Sequence, residues 1–202
     1  MSTLIVAITG ASGSVYAERL LQILAQEKHR VYLVITAPGL QVVEHELGWQ
    51  VPGEHLAAEE YLQAKLGFPK ENFRYFHWED VGAKIASGSV RTDGMVVIPC
   101  TMSTVSGIAH GQSGNLVERA ADIMLKEGRP LIVVPRETPL SQLHLQNMLT
   151  MAQLGVRVIP AMPAFYHGPQ SIEDLVDFMV GRVLDILNIE HTLFQRWKAE
   201  ER

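Results

Sequence analysis

The sequence contains few of the residues on which several protein classes depend. Cys100 is the only cysteine among 202 residues, which excludes an internal disulfide framework and favours a reducing, cytoplasmic location. The net charge of -5 provides no basic face for nucleic acid. No apolar run approaches the roughly 18 residues of a membrane span. The first ten residues have no basic segment and are typical of a strand, so we expect no signal peptide.

Several catalytic signatures are also missing. The eight histidines form no HxH or HExxH motif and no cluster with the cysteine, so we expect no metal site. The chain has no GxSxG nucleophile elbow, no Walker lysine and no GxGxxG turn. These absences argue against a metalloenzyme, a serine hydrolase and a P-loop enzyme, and they weaken the case for a standard NAD site.

Apolar runs rich in β-branched residues alternate with helical patterns along the chain. Such runs are typical of strands that are buried on both faces of a parallel sheet. They occupy Leu4–Ile8, Val31–Ile35, Met95–Ile98, Leu131–Val134 and Val156–Ile159. The sequence therefore predicts one α/β domain over residues 1–202. Its fold is expected to be doubly wound and Rossmann-like (flavodoxin-like), a parallel sheet with helices on both faces.

Residues 48–94 have the least regular pattern. The spacing predicts a helix over Ala57–Leu66, a short aromatic strand from Phe73, and another helix over Val81–Ser87. Trp49 and Tyr75 are expected to pack against the sheet or a neighbouring subunit. We assign no chemistry to this region.

Three predicted strands end in polar loops, where parallel sheets bind their ligands. The first loop, from Gly10 to Gly13, allows tight backbone geometry, and the helix after it offers free amides and a positive dipole to a phosphate. The second loop, Thr101–Thr104, offers hydroxyls to a phosphate or to the edge of a heterocycle. The third carries Arg136 and Glu137 between two prolines.

Two helical patterns hold charged candidates. After the second loop the pattern predicts a helix over Leu116–Lys126, with Asn115 as its cap. Arg119 and Lys126 are seven residues apart and so share a face, which we expect to lie near the ligand-binding edge. Glu44 and Glu46 follow Leu40 on another helix, where a solvated face is the ordinary interpretation.

At these positions the sequence resembles the UbiX family of flavin prenyltransferases. The resemblance rests on GASG at Gly10–Gly13, on Asn115–Pro139, on HLQNML at His144–Leu149, and on Pro160–Phe178 followed by Arg182. It covers nearly the whole chain except residues 48–94. The sequence VPRETP and the FYH loop are its most specific parts.

The resemblance implies a reaction and partners. The family joins a dimethylallyl phosphate to reduced FMN at N5 and C6. The product, prenylated FMN, is supplied to a UbiD-type decarboxylase. The resemblance further implies a homo-oligomer, commonly a dodecamer, and no metal. The tail over residues 189–202 is expected to dock on a neighbouring subunit.

The resemblance also implies residue roles. The FMN-binding positions are Gly10, Ala11, Ser12, Thr36, Thr101, Met102, Ser103, Thr104 and Arg136. The positions around the allylic phosphate are Arg119, Lys126, Tyr166, Arg182 and Trp197. The catalytic positions are Ser12, which lies near the flavin N5, and Glu46, Lys126 and Glu137. Threonine at 36 and 101 replaces the family's more frequent serine and keeps the hydroxyl.

These residue types suit the implied chemistry. Breaking the allylic C–O bond places negative charge on phosphate, which Lys126, Arg182 and the Tyr166 hydroxyl can stabilise. Aromatic groups such as Trp197 can stabilise the allyl cation. A glutamate, at 137 or 46, can act as acid and base if burial raises its pKa. The departing phosphate is a rival base.

Three alternatives remain on the same fold. A flavin-dependent cysteine decarboxylase would carry an early catalytic histidine and a PASANT-like motif, whereas this chain has PCTMST and places His29 before a strand. A non-catalytic flavin carrier would not need Lys126, Glu137, Tyr166 or Arg182. A direct aromatic-acid decarboxylase would need a carboxylate-releasing mechanism that these residues do not provide.

Overall fold

The computed structural model describes residues 1–197, which fold around a six-stranded parallel sheet of order β3-β2-β1-β4-β5-β6. This is the Rossmann order, with helices on both faces, and it confirms the predicted doubly wound fold. The strands are β1 (Thr3–Ile8), β2 (Arg30–Ile35), β3 (Phe73–His77), β4 (Gly94–Cys100), β5 (Leu131–Pro135) and β6 (Arg157–Val158).

Within residues 1–197, six α-helices lie between these strands and a seventh follows β6. They are α1 (Ser14–Gln26), α2 (Ala37–Leu47), α3 (His55–Leu66), α4 (Met102–Ala109), α5 (Leu116–Lys126), α6 (Gln142–Gln153) and α7 (Ile172–Ile186). Among residues 1–197, no helix has the length and apolar character needed to cross a membrane.

The two faces of the sheet have separate cores, because side chains alternate along each strand. Leu4, Val6 and Ile8 of β1 pack with α1, α3 and α7. Ile5 and Ala7 pack with α4, α5 and α6. Strands β1, β2, β4 and β5 are buried on both faces, which explains their continuous apolar runs.

The structure confirms the predicted helix Leu116–Lys126, which is α5, and Asn115 caps it by accepting from the Glu118 amide at 3.0 Å. A turn in which Gly111 has a φ of 66° separates it from α4, which the sequence analysis did not predict. One expectation is corrected: at Val81–Ser87, turns and one 3₁₀ turn at Lys84–Ala86 replace the predicted helix. This segment contains Gly82, and glycine disfavours a helical backbone.

Two aromatic residues within residues 48–94, Trp49 and Tyr75, pack as expected. The indole of Trp49 is buried and donates to Glu18 Oε1 at 3.2 Å. Tyr75 of β3 is also buried. Both aromatic side chains therefore pack within the chain.

The chain reverses its winding direction between β1 and β4, and Thr9 joins the ends of these strands. The buried Thr9 hydroxyl donates to the Pro99 carbonyl at 2.9 Å and accepts from the Thr101 amide at 2.8 Å. In doubly wound sheets this reversal is where ligands bind. Thr9 therefore fixes the spacing of the two loops that carry most of the FMN-binding candidates.

Candidate active site

The turn after β1 brings the chain close to the start of α2. A Cβ atom at Gly10 would lie 2.4 Å from the Pro38 Cβ, so only glycine fits there. Gly13 has a φ of 109° and forms the N-cap of α1, but it has no side chain to cap the helix. The first amides of α1 therefore need a partner from elsewhere in the chain.

Glu46 of α2 is that partner. Its carboxylate accepts from the Gly13 amide at 3.0 Å, the Ser14 amide at 2.9 Å and the Ser14 hydroxyl at 2.6 Å. These donors are the groups that the sequence analysis offered to a phosphate. The Gly13 and Ser14 amides are therefore not free, contrary to the expectation, because a side-chain anion already occupies that position.

The same contacts determine the ionisation of Glu46. Partial burial acts to raise its pKa, but hydrogen bonds from Ser12, Ser14 and the Gly13 amide outweigh burial and hold the pKa below its ordinary value. We expected Glu46 to act as an acid and base only if its pKa were raised. Its pKa is lowered instead, and its carboxylate is the stable form at neutral pH.

The loop after β4 presents hydroxyls and amides at the sheet edge. The Thr101 hydroxyl lies 2.9 Å from that of Thr104 and caps α4 by accepting from the Thr104 amide at 3.1 Å. The first-turn amides of Met102 and Ser103 have no hydrogen-bond partner within residues 1–197. The Ser103 side chain is exposed. This loop therefore offers unpaired amides to an anion.

Cys100 precedes this loop but is not a candidate nucleophile. Its side chain is fully buried, and burial raises the pKa of the thiol far above its ordinary range. The thiolate is the reactive form of cysteine, so this thiol is inert in the folded protein. The prediction that Cys100 is a packing residue fits this environment.

Thr36 ends β2 on the other side of the turn. Its hydroxyl accepts from the Gly39 amide at 3.2 Å and caps α2, as the position of Pro38 predicts. The residue is 9% exposed, so most of its surface faces protein.

Arg136 connects the end of β5 to the first turn. Its Nε donates to the Ser12 carbonyl at 3.3 Å. Arg136 and Glu137 also line a cleft of about 400 Å³ whose other walls include Met148 and Pro160. That volume lies within the usual range for small-molecule sites, and the cleft combines apolar walls with two charged groups.

These contacts form one group of candidates at the carboxyl edge of the sheet. Hydrogen bonds join three of its loops through Thr9, Glu46 and Arg136. Its predicted members are Gly10, Ala11, Ser12, Thr36, Glu46, Thr101, Met102, Ser103, Thr104, Arg136 and Glu137.

Tyr166, Arg182 and Trp197 lie in a second group beside α7. The Tyr166 ring contacts the Phe178 ring at a centroid distance of 5.8 Å and the Trp197 ring at 5.4 Å, both edge to face. Arg182 lies one turn after Phe178 and pairs with Asp185, with Nη1 at 3.0 Å from Oδ2. Within residues 1–197 no hydrogen bond or ion pair joins this group to the first.

The chain segment after α7 packs back on the same chain. Phe194 contacts Phe178 at a centroid distance of 5.0 Å, and a Cβ atom at Gly181 would lie 2.5 Å from the Phe194 ring. Residues 189–197 therefore pack on α7 of the same chain, and their docking on a neighbouring subunit stays a prediction. Residues 198–202 of the predicted tail lie outside the described residues.

Arg119 and Lys126 form the third group, on α5, and here the structure corrects the expectation. Helix α5 starts near the carboxyl edge, where the Leu116 amide donates to the Trp78 carbonyl, and it ends just before β5 begins. Lys126 therefore lies at the amino edge of the sheet, about 16 Å along the helix from its start. Its ammonium is 3.6 Å from Glu127 Oε1.

The sequence analysis missed several residues that organise these groups. Thr9 and Ser14 act through hydrogen bonds to partners 92 and 32 residues away. Asp185 pairs with Arg182, His191 and Arg196 at once. A threonine next to a glycine turn is a weak signal for Thr9, and no local pattern identifies Asp185.

Comparison with known proteins places the chain in a family. The sequence matches the Flavoprotein family over residues 1–184. The flavin prenyltransferase UbiX of Synechocystis sp. is 50% identical over 197 residues, covering 97% of this chain and 96% of the relative. The chain belongs to the UbiX family of flavin prenyltransferases.

Solved structures of UbiX proteins share the fold over the whole chain. The crystal structure of AnUbiX (PadA1) in complex with FMN and dimethylallyl pyrophosphate has a TM-score of 0.85 and 36% identity, covering 98% of both chains. A dodecameric FMN-dependent UbiX-like decarboxylase from Escherichia coli O157:H7 has a TM-score of 0.86 and 41% identity, covering 98% of this chain and 100% of that one.

The UbiX-type site described above includes no metal-binding group. Within residues 1–197, no cluster of three or more histidine, cysteine, aspartate or glutamate side chains could hold a metal ion. Positive charge at the carboxyl-edge group comes from Arg136, which lines the cleft together with Glu137.

Proposed function

We propose that this protein is a flavin prenyltransferase, which transfers the dimethylallyl group of an allylic phosphate to reduced FMN and releases phosphate. The proposal rests on family membership over nearly the full length of the chain. It also rests on the group at the carboxyl edge of the sheet, where the Gly10–Gly13 turn, the Thr101 and Thr104 hydroxyls and Arg136 lie. Dimethylallyl pyrophosphate is bound with FMN in the related AnUbiX structure.

The residues at the sheet edge fit FMN. The Met102 and Ser103 amides and the hydroxyls of Thr101 and Thr104 suit its phosphate, and the cleft beside Arg136 has the apolar walls that a flat ring system needs. When bound, reduced FMN supplies the nucleophile at N5 and the carbon C6 for ring closure. Glu46 holds the first turn, which carries Ser12, in place through its contacts with Gly13 and Ser14.

In this proposal, polar and charged side chains around the allylic phosphate stabilise the charges that develop during the reaction. Lys126, Arg182 and the Tyr166 hydroxyl take up the negative charge that grows on phosphate as the C–O bond breaks. The Trp197 ring, in contact with Tyr166, stabilises the positive allyl group. Glu137 is the candidate for the acid and base because it lines the cleft beside Arg136, whereas the Glu46 carboxylate is occupied by the Gly13 and Ser14 amides.

This assignment needs more than one copy of the chain. Lys126 lies at the amino edge of the sheet, on the face opposite α1 and α7, while Arg136 and Glu137 lie at the carboxyl edge. We propose a homo-oligomer, a dodecamer like the related structure from Escherichia coli, in which a neighbouring copy supplies Arg119 and Lys126. The exposed side chains of Leu143, Leu149 and Met162 provide an apolar surface for such contacts.

The product defines the partner class. We propose that prenylated FMN leaves this enzyme for a UbiD-type decarboxylase, which would use it as a cofactor. A cytoplasmic location is part of the same proposal and rests on the single buried cysteine.

The test is an anaerobic incubation of the purified protein with reduced FMN and dimethylallyl monophosphate, followed by mass spectrometry of the released flavin. A flavin heavier by one C5H8 unit is expected. A parallel sample receives the diphosphate, and a third contains the Glu137→Gln variant as a negative control. Unmodified FMN from wild-type protein with both donors would contradict the proposal and favour a flavin carrier.

A further inference from the structure

One carboxylate holds together the second group of candidate residues. Asp185 Oδ1 lies 2.7 Å from Arg196 Nη2 and 3.1 Å from His191 Nε2. Asp185 Oδ2 lies 3.0 Å from Arg182 Nη1 and 3.3 Å from Arg196 Nη1. The Asp185 side chain is 19% exposed, while that of Arg182 is 49% exposed. The carboxylate is thus enclosed, and Arg182 reaches solvent.

We propose that Asp185 is a positioning residue that couples phosphate binding at Arg182 to docking of the strap, the segment His191–Trp197. This inference rests on the function proposed above, in which Arg182 binds the allylic phosphate. Asp185 itself touches neither substrate nor flavin in this proposal. It acts through Arg182 on one side and through His191 and Arg196 on the other.

The strap is attached to α7 by polar and apolar contacts. The Arg196 guanidinium forms a two-pronged pair with Asp185 and lies 5.7 Å from the centre of the Phe194 ring. The Phe194 ring packs on Gly181 and Phe178. Trp197 follows directly and contacts Tyr166. A strap that is released from Asp185 would therefore carry the Trp197 ring away from the Tyr166 hydroxyl.

The geometry gives the coupling a direction. Asp185 Oδ2 is shared between Arg182 at 3.0 Å and Arg196 at the longer distance of 3.3 Å. A phosphate dianion that binds Arg182 competes with Asp185 for that guanidinium. When Arg182 turns to the phosphate, Oδ2 is left to Arg196 alone, and the strap is held more tightly. Phosphate binding and strap docking should therefore reinforce each other.

Trypsin cleavage after Arg196 measures directly how often the ion pair between Asp185 and Arg196 is broken. Trypsin must take the Arg196 side chain into its own pocket, and it can do so only when Asp185 has released that side chain. The probe is inorganic phosphate, and mass spectrometry follows the loss of the residues after Arg196. We expect phosphate to slow cleavage of the wild-type protein. We expect Asp185→Asn to be cleaved faster than wild type and to lose the protection by phosphate.

Steady-state kinetics supply the second readout. We expect Asp185→Asn to raise the KM for dimethylallyl phosphate about tenfold, with FMN affinity unchanged, because Arg196 and His191 lose their charged partner and the released strap takes Trp197 away from the substrate site. Asp185→Glu should recover part of the KM. Asp177→Asn is the matched control: it breaks an arginine pair on the same helix, with Arg19 at 2.6 Å, but does not touch the strap, and it should behave as wild type.

Arg196→Gln breaks the same Asp185–Arg196 pair by changing its more exposed partner, and it serves if Asp185→Asn folds poorly. It should raise the KM for dimethylallyl phosphate by a similar factor. The coupling is wrong if phosphate leaves the cleavage rate of the wild-type protein unchanged. It is equally wrong if Asp185→Asn and Asp177→Asn have the same KM. Absence of prenylated FMN from the wild-type protein would instead refute the proposed function, since the proteolysis experiment needs no turnover.

Discussion

The Glu46 carboxylate accepts a hydrogen bond of 2.6 Å from the hydroxyl of Ser14, 32 residues earlier in the chain. Together with the Gly13 and Ser14 amides, this contact completes the start of α1. Gly13 provides the left-handed backbone that the turn requires, and Glu46 provides the cap that glycine lacks. The first loop of the site is thereby fixed from α2.

Replacing Glu46 by glutamine should destabilise the protein at neutral pH. The amide keeps one acceptor but loses the charge that faces the α1 dipole, so a cost of about 1 kcal/mol is expected, limited by solvent screening of this exposed side chain. Urea unfolding at pH 7 measures it. Glu44→Gln, on the same helix and exposed, is the matched control and should be neutral.

The pH dependence of that effect has a defined sign. Folding lowers the pKa of Glu46 below its ordinary value of 4.5. The carboxylate therefore stabilises the fold above that ordinary pKa, and the stabilisation is lost as the pH falls through the lower, folded-state pKa. The difference in unfolding free energy between wild type and Glu46→Gln should shrink below about pH 4.5. A constant difference from pH 7 to pH 3 would refute the capping role.

The strands were predictable because burial on both faces leaves a direct mark on the sequence. Leu4–Ile8 and Leu131–Val134 are continuous apolar runs, and the structure changes their ends by one residue. The cap at Asn115 was predictable for a local reason: its side chain accepts from the Glu118 amide, three residues on. Such signals lie within a few residues of the feature that they predict.

The contacts that assemble the site leave no such local mark. The pair of Glu46 with Ser14 depends on how α2 packs beside α1, and the position of Lys126 depends on the direction of α5 relative to the sheet. Helical spacing correctly placed Arg119 and Lys126 on one helix. It could not show that the helix carries Lys126 away from the ligand-binding edge.

FMN affinity should depend on the guanidinium shape of Arg136 as well as on its positive charge. Its Nε donates to the Ser12 carbonyl, which leaves the rest of the planar guanidinium for the flavin. Lysine cannot make both contacts, so Arg136→Lys is expected to weaken FMN binding about tenfold. Titration of apoprotein with FMN, followed by flavin fluorescence, measures this. Arg157→Lys, exposed on β6, is the control, and equal FMN affinity in both variants would refute the role.

Lys126→Ala and Glu137→Gln should each keep FMN binding and reduce turnover about 100-fold, because each removes a group that acts in the transition state. If a neighbouring copy supplies Lys126, oligomers that contain both variants will have some sites with neither substitution. Co-expression of two differently tagged variants and tandem purification should then restore part of the activity. Mixed oligomers as inactive as the separate variants would place both residues in one chain's site.

Cys100 should be unreactive in the folded protein. Its side chain is fully buried and burial raises the pKa of its thiol, so both access and the thiolate form are lacking. A thiol reagent such as Ellman's reagent is expected to modify no cysteine at pH 8 until urea unfolds the chain. Cys100→Ser should retain prenyl transfer. Rapid modification of the native protein, with loss of activity, would return this cysteine to the list of candidate nucleophiles.

Gly181 should control whether the strap can dock on α7. A Cβ atom there would lie 2.5 Å from the Phe194 ring and 2.7 Å from the His191 ring, so Gly181→Ala must displace the strap. Alanine favours helix by about 1 kcal/mol over glycine, and α7 itself should therefore not be weakened. We expect faster trypsin cleavage after Arg196 and a higher KM for dimethylallyl phosphate, with FMN affinity unchanged. A Gly181→Ala protein with wild-type KM and wild-type cleavage would mean that the docked strap has no part in holding the substrate.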